Sequence, residues 1–530
     1  MDRSHYLVGN RVGCDPAVLG GLTSRGVLAA TAGRAPTATA YVDRRLRLTW
    51  REVAGRVDAV ARVLEQAGIG AGDVVGLHLP NSAAYAIAHL AIAEAGAVTL
   101  PLHMPYRGAE LRQFLAATAA VAYVHEHDGN AEFAAIRRSL PALRTIVAAD
   151  LDDAMFTVDG RAGAARERPR TIDPEDPFCV VPTSGTESLK PKLCMHAHDG
   201  LLSNARAFVD EAGVRGDDVT IVGSGFTHLF GLLGLHLSLV AGATLVALRK
   251  FDAPAFLALA EAESATRAWA VPAQLIDLIA SAKSHTYALR LREVRTAGAA
   301  VGAEFVRDVR AALGADVTVH WGMSEVGGGI TTYGRDLTAS ASVLGTPIAG
   351  AEVRIARADG SEAAPDEVGE LWYRRADMFR GYYADPETTA SAVTADGWLR
   401  SGDLAARDAA GTVSYHGREK DLVNRGGYKI GAAELEASLH GLPAIRLCAV
   451  VAVPDARLGE RACLVAELQP GATLTLNDVA AHLDARGIAK YKWPEHLLIV
   501  EALPMTATNK IAKSVVRALA AERIAGAVHA

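Results

Sequence analysis

The chain has 530 residues, half of them apolar and 22% charged, with 54 Lys and Arg against 60 Asp and Glu for a net charge of −6. That balance excludes disordered, collagen-like and disulfide-scaffold proteins and suffices for more than one buried core. No run is dense in Lys and Arg, so a nucleic-acid footprint is absent and small molecules are the expected partners.

Five cysteines, Cys14, Cys179, Cys194, Cys448 and Cys463, are an odd number without CxxC spacing, which argues against a zinc site and for a reducing compartment. The N-terminal MDRSHYLVGNRVGCDP has no apolar signal core, so a cytoplasmic location is expected. The most apolar stretch, Ser82 to Leu102, contains His89, Glu94, Gly96 and Pro101 and reads as a buried helix followed by a strand, with no membrane span.

Arg51 to Gly68 spaces apolar residues by three and four and ends at a capping glycine, which predicts an amphipathic helix. Val74–Leu79 then predicts a short buried strand. The alternation repeats as helix Ser82–Ala95, strand Val98–Leu102, helix Gly108–Ala120 and strand Ala122–Val124, and again from Leu201 to Val301. This is the pattern of an α/β fold with mostly parallel sheets. Beyond residue 340, Val353–Ala356 and Gly369–Arg374 flank turn chemistry at Asp359-Gly360 and Pro365-Asp366, which predicts a small β-rich subdomain. The last stretch mixes strands such as Leu447–Val453 with helices such as Leu476–Arg486, an α+β unit. From Arg418 onward there are 14 basic and 12 acidic residues, so a +2 unit follows a −8 body. Opposite signs fit a lid closing over an anionic ligand.

Four segments carry chemistry. Thr183-Ser184-Gly185-Thr186-Glu187-Ser188-Leu189-Lys190-Pro191-Lys192 follows the apolar run Phe178–Val181. It can turn backbone N–H groups and hydroxyls toward an anion beside the Lys192 charge, or form an ordinary Ser/Thr-rich surface turn. Trp321-Gly322-Met323-Ser324-Glu325 sets a carboxylate at a strand end, either as a ligand for a hard cation or as a solvated loop acid. Asp403, Arg418, the charged cluster to Asp421 and the glycines of Gly426-Gly427-Tyr428 suggest hydroxyl and phosphate recognition beside a hinge; a solvated charged face is the plainer account. Near the C-terminus, Lys510 lies on a turn before a helix, within reach of a cleft or simply on the surface.

In order and approximate spacing these segments resemble the adenylate-forming superfamily of acyl- and aryl-CoA synthetases, adenylation domains and luciferases, over most of the chain from about Leu48 to Arg517. GREKDLVNRGGYKIGAAELE, from Gly417 to Glu436, matches the family pattern GRxKDxIxxGGxxIxPxEIE and is the most specific agreement. The resemblance implies a large N-terminal domain over 1–417, built from two stacked αβ subdomains plus the β-rich one. It further implies a hinge at 418–421 and a mobile α+β lid over 422–530 carrying the catalytic lysine.

Residue by residue, it implies that Thr183, Ser184, Gly185, Thr186 and Lys192 hold the β- and γ-phosphates of ATP. Ala297, Gly298, Ala299 and Ala300 would let adenine approach the backbone, Trp321 and Gly322 would line base and acid pockets, and Ser324 would touch the α-phosphate. Glu325 would bind Mg²⁺, Asp403 the ribose hydroxyls, and Arg418 would lie beside it. Lys510 would bridge the acid and the α-phosphate. Lys420 would be the hinge residue, and rotation there would withdraw Lys510 and bring Gly426, Gly427 and Tyr428 to a thiol channel. His228 matches a position at the pocket and the mouth of that channel, with a histidine satisfied in the core as the alternative. Trp269 and Val301 are further pocket candidates, and the tryptophans favour a compact, aromatic acid.

Three departures stand out: Glu187-Ser188-Leu189-Lys190 for the usual shorter neutral loop, Asn509 for a glycine, and Pro101-Leu102-His103-Met104-Pro105 for a PxxP-like stretch. The implied activity is an acid–thiol ligase: an acid and ATP give acyl-AMP and pyrophosphate, then coenzyme A or a carrier protein's pantetheine takes the acyl group. Transfer to an amine, and activation of nitrite for diazotisation of an arylamine, are the alternatives. The partners expected are a small-molecule acid and a carrier protein, with no nucleic acid or membrane, as a monomer or a homodimer.

Overall fold

The computed structural model describes residues 12–126, 136–160, 165–169, 171–183, 192–299, 301–335, 337, 343–506 and 510–528. Ser184, Gly185, Thr186, the Glu187–Lys190 insertion, Ala300 and Asn509 lie outside them.

The first predicted helix spans Trp50–Gln66 and starts in a capping box, with the Glu52 N–H donating to the Thr49 hydroxyl and the Thr49 N–H to the Glu52 carboxylate at 2.7 Å. Val53, Val57, Val60, Ala61 and Leu64 are its buried stripe, the three-and-four spacing read from the sequence. The apolar stretch becomes the helix Ala83–Glu94, buried on every side, and the strand Val98–Pro101. Among the described residues no helix is long and apolar enough to cross a membrane.

Two sheets form the body. In one of seven strands, Val74–His78, Val98–Pro101, Ala122–Glu126, Thr145–Asp150 and Pro177–Pro182 run parallel, with antiparallel strands at both edges. The second has a parallel heart of Val219–Val222, Thr244–Ala247, Arg267–Trp269, Glu293–Ala297 and Asp316–Met323. One apolar core joins side chains of both sheets with the helices Ala83–Glu94 and Leu229–Ala241. The expected β-rich subdomain of the large domain is present and joins the edge of the second sheet. Gly327–Thr331 and Val343–Pro347 lead antiparallel into Val413–Arg418, Leu399–Arg407, Gly369–Arg374 and Glu352–Ala356.

From Leu422 onward, strands Leu422–Arg425, Tyr428–Gly431, Ile445–Asp455, Gly459–Leu468 and His496–Val500 form a separate sheet. Its two cores contain no residue of the body. The charge split has a structural counterpart. Arg446 pairs with Asp277 at 3.3 Å, Arg486 with Glu304, and His440 Nε2 lies 4.0 Å from Asp308.

The body's interior is rich in histidine. His89 Nε2 meets His236 Nε2 at 3.0 Å beside Phe178 and His198. Burial pushes His78, His103 and His196 down to about 4, and His89 and His198 to about 3, from an ordinary 6.5. The unfolded chain therefore binds more protons below pH 6.5 than the folded one. Stability is complete above that pH and falls as pH drops toward the folded values, by up to about 2 kcal/mol for each histidine at pH 5. Acid unfolding followed by circular dichroism should have its midpoint near pH 5; a chain intact at pH 4 would contradict this.

Candidate active site

Asp403 organises the cleft. It sits on Leu399–Arg407 directly opposite Arg418 on the neighbouring antiparallel strand, so the pairing register alone sets them face to face. One carboxylate oxygen accepts from Arg418 Nε at 2.9 Å and the other from Trp321 Nε1 at 2.8 Å. Asp403 is buried while Arg418 keeps part of its surface exposed.

Lys510 reaches this group from the other domain. Gly298 has φ +93°, and a Cβ there would lie 2.6 Å from Lys510 Cε and 3.0 Å from its Nζ. Glycine is thus required twice over, by the backbone and by the lysine's approach. Burial, with the Arg418 charge adding to it, pushes Lys510 down to about 8. A cavity of about 800 Å³ runs between the domains and is lined by Ala297, Gly298, Ala299, Trp321, Gly322, Asp403, Arg418 and Lys510. Val301 and Lys420 also line it, and the Lys420 carbonyl accepts from Arg517 Nη2 at 3.0 Å.

Glu325 is not the solvated loop acid of the plainer reading. It is buried; the Tyr382 hydroxyl donates to its Oε1 at 2.6 Å, and the Phe379 N–H donates to its carbonyl at 2.9 Å. Burial pushes its carboxyl above the ordinary range, opposed by the Tyr382 bond and the nearby Lys192. The Lys192 ammonium stands 5.5 Å from the Tyr382 ring centre, and the Lys192 carbonyl accepts from the Thr183 N–H at 2.9 Å. Beside Glu325, the Ser324 carbonyl is 2.7 Å from His196 Nε2.

Tyr382 was not singled out in the sequence, although the Arg380-Gly381-Tyr382-Tyr383 run was visible there. The unreadable Leu102-His103-Met104 departure acquires a role: His103 Nδ1 bonds the Thr227 hydroxyl at 2.9 Å, next to His228. His228 is half-buried, its ring 6.4 Å from that of His103. Burial and the Lys510 charge hold it well below the ordinary histidine value, hence neutral.

One expectation is not met by this arrangement. Trp269, a pocket candidate, is fully buried and does not line the cavity, because Phe230 stacks on it at 5.0 Å. Gly426, Gly427 and Tyr428 are exposed and away from the cavity, with Tyr428 against Tyr491 at 4.8 Å. The lid therefore presents Lys510 to the cleft and keeps the glycine pair outside.

The family description "AMP-binding enzyme" matches residues 28–383, and "AMP-binding enzyme C-terminal domain" matches 434–510. The chain belongs to the AMP-binding, adenylate-forming enzymes. A Streptomyces salicylyl-CoA synthase / salicylate adenylyltransferase is 34% identical, over 90% of this chain and 90% of its own. A Mycobacterium tuberculosis salicyl-AMP ligase / salicyl-S-ArCP synthetase is 33% identical, over 94% and 91%. The ATP-bound MatB of Rhodopseudomonas palustris superposes with a TM-score of 0.83 at 28% identity, over 94% of this chain and 99% of that one. As an adenylate-forming enzyme of the AMP-forming acid–thiol ligase type, the protein activates an acid with ATP.

Proposed function

We propose that this adenylate-forming enzyme converts a small or aryl carboxylic acid to its acyl-adenylate and passes the acyl group to a thiol, coenzyme A or the pantetheine of a carrier protein. The observation that carries this reading is Lys510 held against Gly298, beside the Asp403–Arg418 pair, by a lid with its own cores. Attack of a carboxylate on the α-phosphorus brings two anions together, and a cation at their meeting point lowers that barrier. Lys510 is the cation so placed. Arg418 and Asp403 offer a donor and an acceptor for phosphate and ribose, with Thr183 and Lys192 at the triphosphate end.

ATP and Mg²⁺ fit the residues present. Glu325 offers hard oxygen in a buried setting, and among the described residues no group of three or more His, Cys, Asp or Glu could hold a metal by itself. The metal would thus take most of its ligands from phosphate oxygens and water, as Mg²⁺ does beside nucleotides, and would supply charge neutralisation there. Ser324 would meet the α-phosphate, and Ala297, Gly298 and Ala299 the base.

Domain limits of 1–417 and 422–530 with a hinge at 418–421 agree with the short 3₁₀ turn Glu419–Asp421 and with the separate lid cores. Rotation about Lys420 would exchange Lys510 for Gly426, Gly427 and Tyr428, so that one site serves two half-reactions. Neutral His228 would stand where the thiol arrives. The salicylate enzymes among the relatives support an aryl acid and leave both thiols open as acceptors.

The deciding experiment is AMP release over aryl, short and medium-chain acids and nitrite, each with and without coenzyme A, with products read by mass. Thioester with the acid is the expected product. AMP release that requires an amine and ignores thiols would overturn the thiol step.

A further inference from the structure

Among the described residues, every apolar core lies wholly in the body or wholly in the lid. The cavity passes between the two, with Ile276 and Phe305 on the body side and His440 and Leu442 on the lid side. Apolar burial therefore does little to fix the lid in the pose that brings Lys510 to Gly298.

Opposite charges face each other along the same seam. On the body, Asp277 lies on the helix Pro272–Ser284, and Glu304 and Asp308 lie four residues apart on the helix Ala303–Leu313, hence on one face of it. On the lid, His440 follows the helix Ala432–Leu439, Arg446 starts the strand Ile445–Asp455, and Arg486 follows the helix Leu476–Ala485. Arg446 Nη1 meets Asp277 at 3.3 Å and Arg486 Nη2 meets Glu304. His440 stands 4.0 Å from Asp308 with its ring edge-on to Phe305. Burial holds His440 below its ordinary value, so the two arginines carry the charge at neutral pH.

The seat is shaped for this contact. Gly441 has φ +87°, and a Cβ there would collide with the Glu304 carboxylate, so the lid backbone closes on the same acid that Arg486 holds. The Arg486 hydrogen bond keeps that carboxyl below its ordinary range and therefore charged. Arg446 is held within the lid by Glu467 through Nε, which leaves Nη1 for Asp277. Both pairs remain open to water, with the Asp277 side chain 50% and the Arg486 side chain 36% exposed. Exposed pairs are weak one by one and are screened by salt. A set of weak, screened contacts suits a docking that is made and undone in every turnover, whereas a buried apolar seam would hold the lid shut.

We propose that the lid is held electrostatically in its Lys510-in pose, with Arg446 and Arg486 as positioning residues for adenylation, so that these charges set the balance between the two half-reactions. This rests on the adenylate-forming reading and on the rotation about Lys420 proposed with it.

The test follows the half-reactions separately, with the acid that the AMP-release screen selects. Adenylation is read as acid-dependent ATP–pyrophosphate exchange at saturating ATP, and thioester formation from preloaded acyl-adenylate with pantetheine, an uncharged acceptor. Glu304→Arg and Arg486→Glu should each lower exchange by about fivefold or more without slowing thioester formation. The double variant Glu304→Arg/Arg486→Glu should return exchange to within about twofold of the wild type. Raising sodium chloride from about 0.01 to about 1 M, which shortens the screening length from about 30 to about 3 Å, should lower wild-type exchange and spare the thioester step. Asp277→Asn/Glu304→Gln should flatten that salt response. Exchange indifferent to the single reversals, no recovery in the double variant, a salt response that persists in the neutral variant, or an equal fall in both half-reactions overturns the inference and leaves adenylation standing. The wild-type salt series decides this even if a reversal variant fails to fold, since exchange unchanged by salt overturns it too. No exchange with any acid removes the adenylation reading itself, and this inference with it.

Discussion

Lys510→Ala should lower acid-dependent ATP–pyrophosphate exchange by about 10²–10³-fold while leaving thermal stability almost unchanged. The side chain is held at Gly298 by the fold of the lid, and burial has already pushed it down to about 8. Removing an incompletely solvated cation costs little folding energy; removing it from between two reacting anions costs transition-state energy. The second half-reaction separates this from general damage. Thioester formation from supplied acyl-adenylate and a thiol should be nearly normal, since the proposed rotation of the lid would withdraw Lys510 before that step. Loss of both half-reactions alike would argue against the assigned role.

The charged form of Lys510 is the useful one, so kcat/KM should fall as pH rises past about 8. Bound phosphate favours the ammonium. The corresponding fall in kcat should come at higher pH.

Asp403→Ala should have the second largest effect, and it should be mixed: a rise in KM for ATP of more than about tenfold, together with a loss of about 1–3 kcal/mol of stability. Its two oxygens hold Trp321 Nε1 and Arg418 Nε, at 2.8 and 2.9 Å, from two different strands. Alanine leaves the buried indole N–H without an acceptor and the guanidinium without its counter-charge. Arg418 remains partly exposed, and solvent screening keeps the folding cost toward the lower end. Asp403→Asn keeps an acceptor for Trp321 and the side-chain volume but not the charge. It should recover most of the stability and little of the nucleotide affinity, as read by thermal unfolding and by ATP titration. If Asn and Ala lose stability equally, Trp321 is not the partner that matters.

Much of the fold was readable because it is written locally. Helix Trp50–Gln66 and strand Gly369–Arg374 follow from periodicity, capping and turn residues within a few positions of themselves. The β-rich subdomain was legible, but its attachment to the second sheet was not, because Val343–Pro347 pairs with Val413–Arg418 some seventy residues on. Spacing within a segment carries no information about such a pairing.

The site divides in the same way. Lys510, Asp403, Arg418 and Glu325 stood out through ordered motifs, whereas Tyr382, 57 residues from the glutamate it bonds, had no local signal. His103 looked like an unexplained departure until the fold brought it to Thr227, 124 positions away.

By itself, the sequence determined the α/β alternation, the adenylate-forming motifs and a basic lid following an acidic body. These are properties of short segments and of composition. Only the tertiary structure decided where those charges meet, as Arg446 on Asp277 and Arg486 on Glu304. It also decided that Lys510 faces the cleft while Tyr428 stays outside, and that Tyr382 reaches the buried Glu325. Each of those outcomes depends on surfaces distant in the chain excluding water from one another, and burial is what shifts the protonation of an otherwise ordinary lysine, glutamate or histidine.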